Sequence, residues 1–166
     1  SMGDLIMSET ANYIRVLLTT LKRQEETLQE LVQITQEQSH IAERADFEEM
    51  MLDDSLNRKE ILITKLNEYD DGFTSVYGRI RDEVKNNPNV YQEELEEIRR
   101  LIKSCTDLGV EIRVLEERNR DKLTQCFANR QKVYAAKRNA ASVASHYNQT
   151  MNNQRVMDAY RFNQKN

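Results

Sequence analysis

His40 and His146 are the two histidines of this chain, and the spacing around His40 is the first pattern that could carry chemistry. Glu37 and His40 form a Glu-x-x-His element, which supplies carboxylate and imidazole ligands in di-metal helical bundles. Such a site needs two of these elements and two further glutamates, but Val143 stands three residues before His146. The sequence therefore predicts no metal site and a solvent-facing His40.

The cysteines, Cys105 and Cys126, are also weak candidates for chemistry. They lie 21 residues apart in a segment predicted to be one helix, which separates them by about 31 Å and prevents a disulfide bond. We expect both to be small apolar groups at buried helix positions. The chain has no glycine-rich phosphate loop, Cys-x-x-Cys pair or nucleophile motif. The sequence therefore predicts neither an enzyme nor a cofactor.

Positive charge is concentrated after residue 117. Residues 118–166 contain ten Lys and Arg and two Asp, a net charge of +8, and since the whole chain carries −4, residues 1–117 carry −12. A basic segment can attract nucleic acid, but these charges are scattered and the aromatic residues among them form no stacking platform. We interpret 1–117 as a helical bundle body. We interpret 118–166 as a basic C-terminal helix and tail that binds a protein partner, not nucleic acid.

Few residues interrupt helix formation. The chain has one proline, Pro88, and four glycines among 166 residues, and its long stretches of Leu, Ile, Glu, Gln, Lys and Arg favour helix. This composition predicts an all-α fold. No run approaches the roughly 18 to 20 apolar residues of a membrane span, and no signal peptide is visible. We therefore expect a cytoplasmic protein without a membrane span.

Breaks in the apolar pattern divide the chain into three predicted helices: 8–44, 46–85 and 90 onward. Ser8 is the candidate N-cap of the first helix, and Asp46 followed by Glu49 is a capping box for the second. Pro88, in an Asn-rich turn, marks the second break. No glycine ends the first helix, so a single continuous helix with a shift of phase across the first break is the alternative.

Apolar residues repeat every seven positions along these segments, as they do in coiled-coil-like bundles. Because the connections are short, the sequence predicts an antiparallel bundle of three long helices, with the third helix extended or folding back as a fourth. Gln24 and Gln38 fall in the apolar seam of the first helix and weaken it. Gly72 and Gly78 each cost about 1 kcal/mol relative to alanine inside a helix, and the segment Asp-Asp-Gly at 70–72 indicates either a bend or a close helix approach. The residues expected to be among the most buried are Leu17, Leu21, Leu28, Leu66, Phe73, Ile98, Ile102, Leu108 and Ile112.

The apolar row of the third helix continues past Asn119, although a second row that accompanies it earlier ends at Leu115. The resulting single stripe of small apolar residues has no obvious partner within the chain, and such a surface can accept an amphipathic helix. A helix folded back on the bundle and a homodimer contact are the alternatives. The candidate partner-binding residues are Val133, Ala136, Ala140, Val143, Ala144, Tyr147 and Met151.

Short motifs spread over residues 10–165 also match a known family. The segment Ala-Asp-Phe-Glu-Glu-Met at 45–50 is similar to a break of Gly-Asp followed by acidic and apolar residues, with Ala45 in place of the glycine. The segment Asn-Arg-Lys-Glu-Ile-Leu at 57–62 matches a Lys/Arg-Glu and Leu-Leu motif, and residues 159–165 match an aromatic-basic ending. In this layout the chain resembles the FlgN family of flagellar type III export chaperones.

This resemblance implies a cytoplasmic chaperone that binds an amphipathic C-terminal helix of hook–filament junction proteins before flagellar type III secretion. It implies the flagellar hook-associated proteins as partners, with the export apparatus as a further candidate, and it implies no catalytic residue. In the family the C-terminal region binds the substrate helix, which corresponds here to the apolar stripe. The alternative function is that of a coiled-coil structural adaptor or scaffold without export cargo.

Overall fold

Long α-helices make up the described chain. The computed structural model describes residues 1–44 and 48–136, the last four of them by their backbone alone. The helices are α1 (Met2–Glu43), α2 (Glu49–Asn86) and α3 (Gln92–Ala136). Within these ranges there is no β-strand, and no helix is long and apolar enough to cross a lipid bilayer. The predicted all-α class is confirmed.

The start of α1 differs from the prediction. This helix begins at Met2, so the proposed N-cap at Ser8 is wrong, and Ser8 lies on an exposed face inside the helix. The capping role belongs to Ser1, whose hydroxyl oxygen accepts a hydrogen bond of 3.3 Å from the backbone N–H of Asp4. The Asp4 carboxylate in the first turn also favours the positive end of the helix dipole.

The two predicted breaks separate the helices. α1 ends at Glu43 and α2 begins at Glu49, so the alternative of one continuous helix is wrong. Asp46, the proposed capping residue, lies outside the described residues. The break at Pro88 is confirmed, since α2 ends at Asn86 and α3 begins at Gln92. Asn87 terminates α2 by donating a side-chain hydrogen bond of 3.1 Å to the backbone carbonyl of Glu83.

Unit 1 is the first of two compact units and comprises residues 1–29 and 64–108. Its core is an apolar cluster to which all three helices contribute. Burial of such side chains is the main favourable term in folding. The cluster consists of Ile14, Leu17, Leu21, Ile80, Val84, Tyr91, Ile98 and Leu101.

Two polar contacts give the relative direction of α1 and α2 within unit 1. The guanidinium of Arg79 donates a hydrogen bond of 3.1 Å to the hydroxyl of Tyr13. The amide of Gln24 donates one of 2.9 Å to the carboxylate of Asp70. From the first contact to the second, the residue number rises along α1, from 13 to 24, and falls along α2, from 79 to 70. These segments therefore run antiparallel.

Unit 2 comprises, among the described residues, 30–44, 48–63 and 109–136. Two contacts give the relative direction of α1 and α3 within it. The side-chain amide of Asn119 donates a hydrogen bond of 2.7 Å to the backbone carbonyl of Thr35, and the ammonium of Lys122 donates one of 2.9 Å to the hydroxyl of Ser39. These segments of α1 and α3 therefore run in the same direction. The buried apolar residues of unit 2 are Leu31, Val32, Ile34, Leu52, Leu56, Leu62, Ile63, Ile112, Leu123 and Phe127.

The burial pattern along α3 follows a straight helix and not a strict seven-residue repeat. From Ile98 to Phe127, the buried positions advance by three or four residues, with eight intervals over 29 residues. This average of about 3.6 residues is the period of a straight α-helix, whereas a heptad row drifts by about 20° per repeat. The buried positions are 98, 101, 105, 109, 112, 116, 119, 123 and 127.

This difference in period explains two wrong predictions of the core, Ile102 and Leu108, which both lie on α3. Ile102, expected in the core, is 43% exposed, whereas its neighbour Leu101 is fully buried. Phe73 and Leu108 are only partly buried. The other six predicted core residues are buried, as expected: Leu17, Leu21, Leu28, Leu66, Ile98 and Ile112.

Neither Gly72 nor Gly78 interrupts α2 or makes a close helix contact. α2 passes through both positions without interruption. A Cβ atom added at either glycine would meet nothing within 4 Å. The close helix approach predicted at Gly72 is therefore wrong, and the bend stays a prediction.

Candidate functional site

The predicted partner-binding stripe lies at and beyond the end of the described chain. Val133 and Ala136 belong to the last turns of α3, where the backbone alone is described. The other five residues of the stripe lie outside the described residues: Ala140, Val143, Ala144, Tyr147 and Met151. The proposed boundary between body and tail, at 117/118, falls inside α3, which continues without a break to Ala136. Both the stripe and this boundary stay predictions.

α3 continues well past the point where it contacts the end of α1. The ammonium of Lys122 donates a hydrogen bond of 2.5 Å to the carboxylate of Glu43, the last residue of α1, and this bond lowers the pKa of the Glu43 carboxyl. α3 then continues for 14 residues, from Leu123 to Ala136, which is about 21 Å of helix. Leu123 and Phe127, at the start of this extension, are buried. Beyond Phe127 no residue with a described side chain is buried.

A buried charged pair occupies the core of unit 2. The side chains of Lys59 on α2 and Glu116 on α3 form a salt bridge and are only 1% and 6% exposed. The ammonium of Lys59 also donates a hydrogen bond of 3.0 Å to the side-chain oxygen of Gln38 on α1. Gln38 in turn donates one of 3.0 Å to the hydroxyl of Ser55. This polar cluster, Gln38, Ser55, Lys59 and Glu116, therefore connects all three helices.

Burial changes the pKa of the lysine in this cluster. Desolvation of the ammonium group lowers the pKa of Lys59 to about 7. The carboxylate of Glu116 opposes this effect, because a nearby negative charge favours the protonated lysine. The two groups form one coupled unit in which the position of each proton depends on the other.

Asn119 adds a second polar position to the core of unit 2, one helical turn after Glu116. Its side-chain N–H bonds to the carbonyl of Thr35, but its buried side-chain oxygen has no hydrogen-bond partner. An unsatisfied buried acceptor costs free energy relative to one that is exposed to water. The core of unit 2 is thus markedly more polar than the apolar cluster of unit 1.

Neither Lys59 nor Glu116 is among the predicted site residues, although part of the signal for this pair is visible in the sequence. Lys59 lies at the centre of an apolar stripe on α2 whose members are spaced four or three residues apart: Leu52, Leu56, Lys59, Ile63 and Leu66. Glu116 occupies the equivalent place on α3 between Ile112 and Asn119. A charged residue inside such a stripe indicates a buried partner. To identify that partner, one must know the register between α2 and α3.

Gln38, predicted only to weaken the apolar seam of the first helix, has a further role. It is buried and forms hydrogen bonds with Ser55 and with Lys59.

An open groove lies on the surface of unit 2 between α1 and α2. It has a volume of about 490 Å³, and Ile61 on its wall is 60% exposed. Three apolar and three polar or charged side chains line it: Ile34, Ile61, Leu62, Glu30, Gln33 and Arg58. Binding sites for small molecules are usually enclosed and mostly apolar, so this groove does not have the shape of such a site.

The residues that could carry chemistry are dispersed. His40 is exposed, and Glu37, its partner in the Glu-x-x-His element, forms a salt bridge of 3.0 Å with Arg58. Among the residues described, no three His, Cys, Asp or Glu side chains are grouped so that they could ligate a metal ion. The two cysteines are free. Burial raises the pKa of the Cys105 thiol to about 11, so this group is protonated and unreactive at neutral pH.

Comparison with known proteins adds no relative to this picture. No family model, no curated protein and no solved structure matches the chain.

Proposed function

We propose that this protein is a cytoplasmic export chaperone that binds an amphipathic C-terminal helix of hook–filament junction proteins before flagellar type III secretion. The observation that carries the proposal is the extension of α3. This helix continues for nine residues past Phe127, the last described side chain that is buried, to Ala136. A helix that extends beyond the helices packed against it leaves a face uncovered, and another helix can pack on that face.

The charge distribution is consistent with this role. The predicted partner-binding residues lie in the basic region 118–166, which carries a net charge of +8, whereas residues 1–117 carry −12. In the proposed arrangement, the three helices form an antiparallel, up-down-up bundle, and the third helix continues into the partner-binding region. The apolar stripe of that region, from Val133 to Met151, contacts the apolar face of the partner helix.

Binding of a junction-protein C-terminal segment tests the proposal. The partner-binding variant is Ala140→Glu/Ala144→Glu in the full-length chain, which places two carboxylates in the apolar contact. We expect this double variant to lose binding by at least about a hundredfold, because each charge would be buried without a partner. Isothermal titration calorimetry gives the affinity, and circular dichroism gives the melting temperature of each variant.

Ala128→Glu is the matched control. Ala128 is exposed on α3 and lies about 120° around an ideal helix from Ala140, so it faces away from the stripe. This variant should bind as the wild type does. Unchanged binding by the folded double variant would contradict the proposed surface. If the protein forms a stable homo-oligomer and does not bind junction proteins, the scaffold function is favoured instead.

A further inference from the structure

Buried polar groups are concentrated in one of the two units. Unit 2 contains Thr35, Gln38, Ser55, Lys59, Glu116 and Asn119, each at most 5% exposed. In unit 1, the buried polar or charged residues of the described chain are Thr10 and Thr27. The Thr27 hydroxyl donates to the carbonyl of Arg23 in its own helix, so this residue places no polar contact between helices. The two units therefore differ in what fills the space between their helices.

The charged pair in unit 2 is satisfied but not strongly stabilising. Transfer of an ammonium and a carboxylate out of water costs free energy that their attraction roughly offsets, whereas apolar residues of similar volume carry no such cost. The pair does, however, penalise any other alignment of α2 and α3, because a shift would leave Lys59 and Glu116 buried without each other. The Lys59–Glu116 pair and its polar neighbours, which we call the Lys59–Glu116 layer, thus weaken the core of unit 2 and specify the register between α2 and α3.

We infer that the Lys59–Glu116 layer is a conformational device that lets unit 2 open at a lower free energy than unit 1 and return to one register. Opening hydrates both charges together, which recovers the desolvation cost. The apolar cluster of unit 1 holds no charged group to rehydrate. Its buried Tyr91 hydroxyl lacks a hydrogen-bond partner, but hydration of one neutral hydroxyl recovers less free energy than hydration of two charges. The device loosens one part of the chain while the other stays folded. It does not depend on the proposed function.

Hydrogen exchange of the full-length protein, resolved along each helix, tests this inference. In the wild type, the amides of residues 31–42, 53–62 and 110–126 should exchange at least about tenfold faster than those of 12–28, 67–84 and 96–107, since exchange reports local opening. Lys59→Met/Glu116→Leu should slow exchange in unit 2 by at least about tenfold and leave unit 1 unchanged.

Two further variants separate the charged layer from other effects. Glu37→Gln/Arg58→Gln removes an ion pair of the same unit whose side chains are about half exposed, and it should leave exchange in both units unchanged. The charge swap Lys59→Glu/Glu116→Lys keeps the layer and should keep the fast exchange of unit 2. Equal exchange rates in the two units of the wild type would overturn the inference. So would a folded Lys59→Met/Glu116→Leu variant whose unit 2 exchanges as fast as that of the wild type.

Discussion

Lys59 and Glu116 face each other across the interface of α2 and α3, 57 positions apart in the sequence, with their charged groups in direct contact and almost no exposure to solvent. Each lies at a position where its helix otherwise places an apolar residue. Replacement of one member of such a pair lowers the free energy of unfolding strongly, because the remaining charge is buried without a partner. Replacement of both members by apolar residues does not, because no buried charge remains.

Variants at this pair should therefore show strong non-additivity. Lys59→Met alone should lower the free energy of unfolding by about 3–5 kcal/mol, since it leaves Glu116 buried without a counter-charge. Lys59→Met/Glu116→Leu should recover this loss and exceed the wild-type value by at least about 1.4 kcal/mol, which corresponds to the tenfold slower exchange of unit 2. Urea denaturation of the two single variants and the double variant gives the coupling energy.

The exposed pair Glu97 and Arg100 is the control for that experiment. Both side chains are at least 36% exposed, and exposed pairs of this kind contribute little. Glu97→Gln/Arg100→Gln should change the free energy of unfolding by less than about 1 kcal/mol. A double variant at the buried pair that is as unstable as the single variants would contradict our account of the unit 2 core.

The pH dependence of a second variant tests the burial of Lys59. In the wild type, burial lowers the pKa of the Lys59 ammonium from 10.5 to about 7. In Glu116→Gln the counter-charge is gone, so desolvation acts unopposed and lowers this pKa further. Between about pH 7 and 10.5 the unfolded chain then binds more protons than the folded chain. The free energy of unfolding must rise with pH in this window. The groups that contact the ammonium are Gln38 from α1, which does not titrate, and Glu116 from α3, which this variant removes.

Urea denaturation at pH 7 and pH 10 measures the slope of this dependence. The control is Lys59→Met/Glu116→Gln, which lacks the lysine and retains every other titrating group. Its free energy of unfolding should rise less between the two pH values than that of Glu116→Gln. Parallel pH profiles for the two variants would show that Lys59 is hydrated in the folded state.

The boundaries and helical class of this fold are predictable because their signals are local. Pro88 restricts the backbone before it, and Asn87 caps α2 through its side chain, so both end the helix through contacts close in the sequence. A local signal can also predict the wrong boundary, as Ser8 does for the start of α1. Its side chain is suited to an N-cap, but Ser1 supplies that contact earlier in the chain, and the helix has no need to start again.

Features that depend on helix register were not predictable to the same degree. Leu101 and Ile102 are adjacent apolar residues, and the choice between them depends on whether α3 follows a period of 3.5 or about 3.6 residues. The contact of Lys59 with Glu116 requires the alignment of two helices that the sequence does not specify. The partner-binding stripe, from Val133 to Met151, stays a prediction, because its residues from Ala140 onward lie beyond the described residues.

The contrast between Leu101 and Ile102 gives a direct test of the α3 register. Leu101 is fully buried in the apolar cluster of unit 1, whereas Ile102 is 43% exposed. Leu101→Ala should lower the free energy of unfolding by about 2–5 kcal/mol, because it removes buried apolar surface and leaves a cavity. Ile102→Ala should change it by less than about 1 kcal/mol. Chemical denaturation of the two variants side by side measures both values, and equal losses would contradict the register.

Replacement of the two α2 glycines should stabilise the protein. Gly72 and Gly78 lie in the interior of α2, and neither has the positive φ angle that would strain another residue. An added Cβ atom has open space at both positions, so alanine gains helix propensity and restricts the unfolded chain at no steric cost. Gly72→Ala and Gly78→Ala should each raise the free energy of unfolding by about 0.4–1 kcal/mol, and the double variant by nearly the sum. Thermal and urea denaturation measure these gains. A loss of stability in either variant would mean that another segment packs against that face of α2.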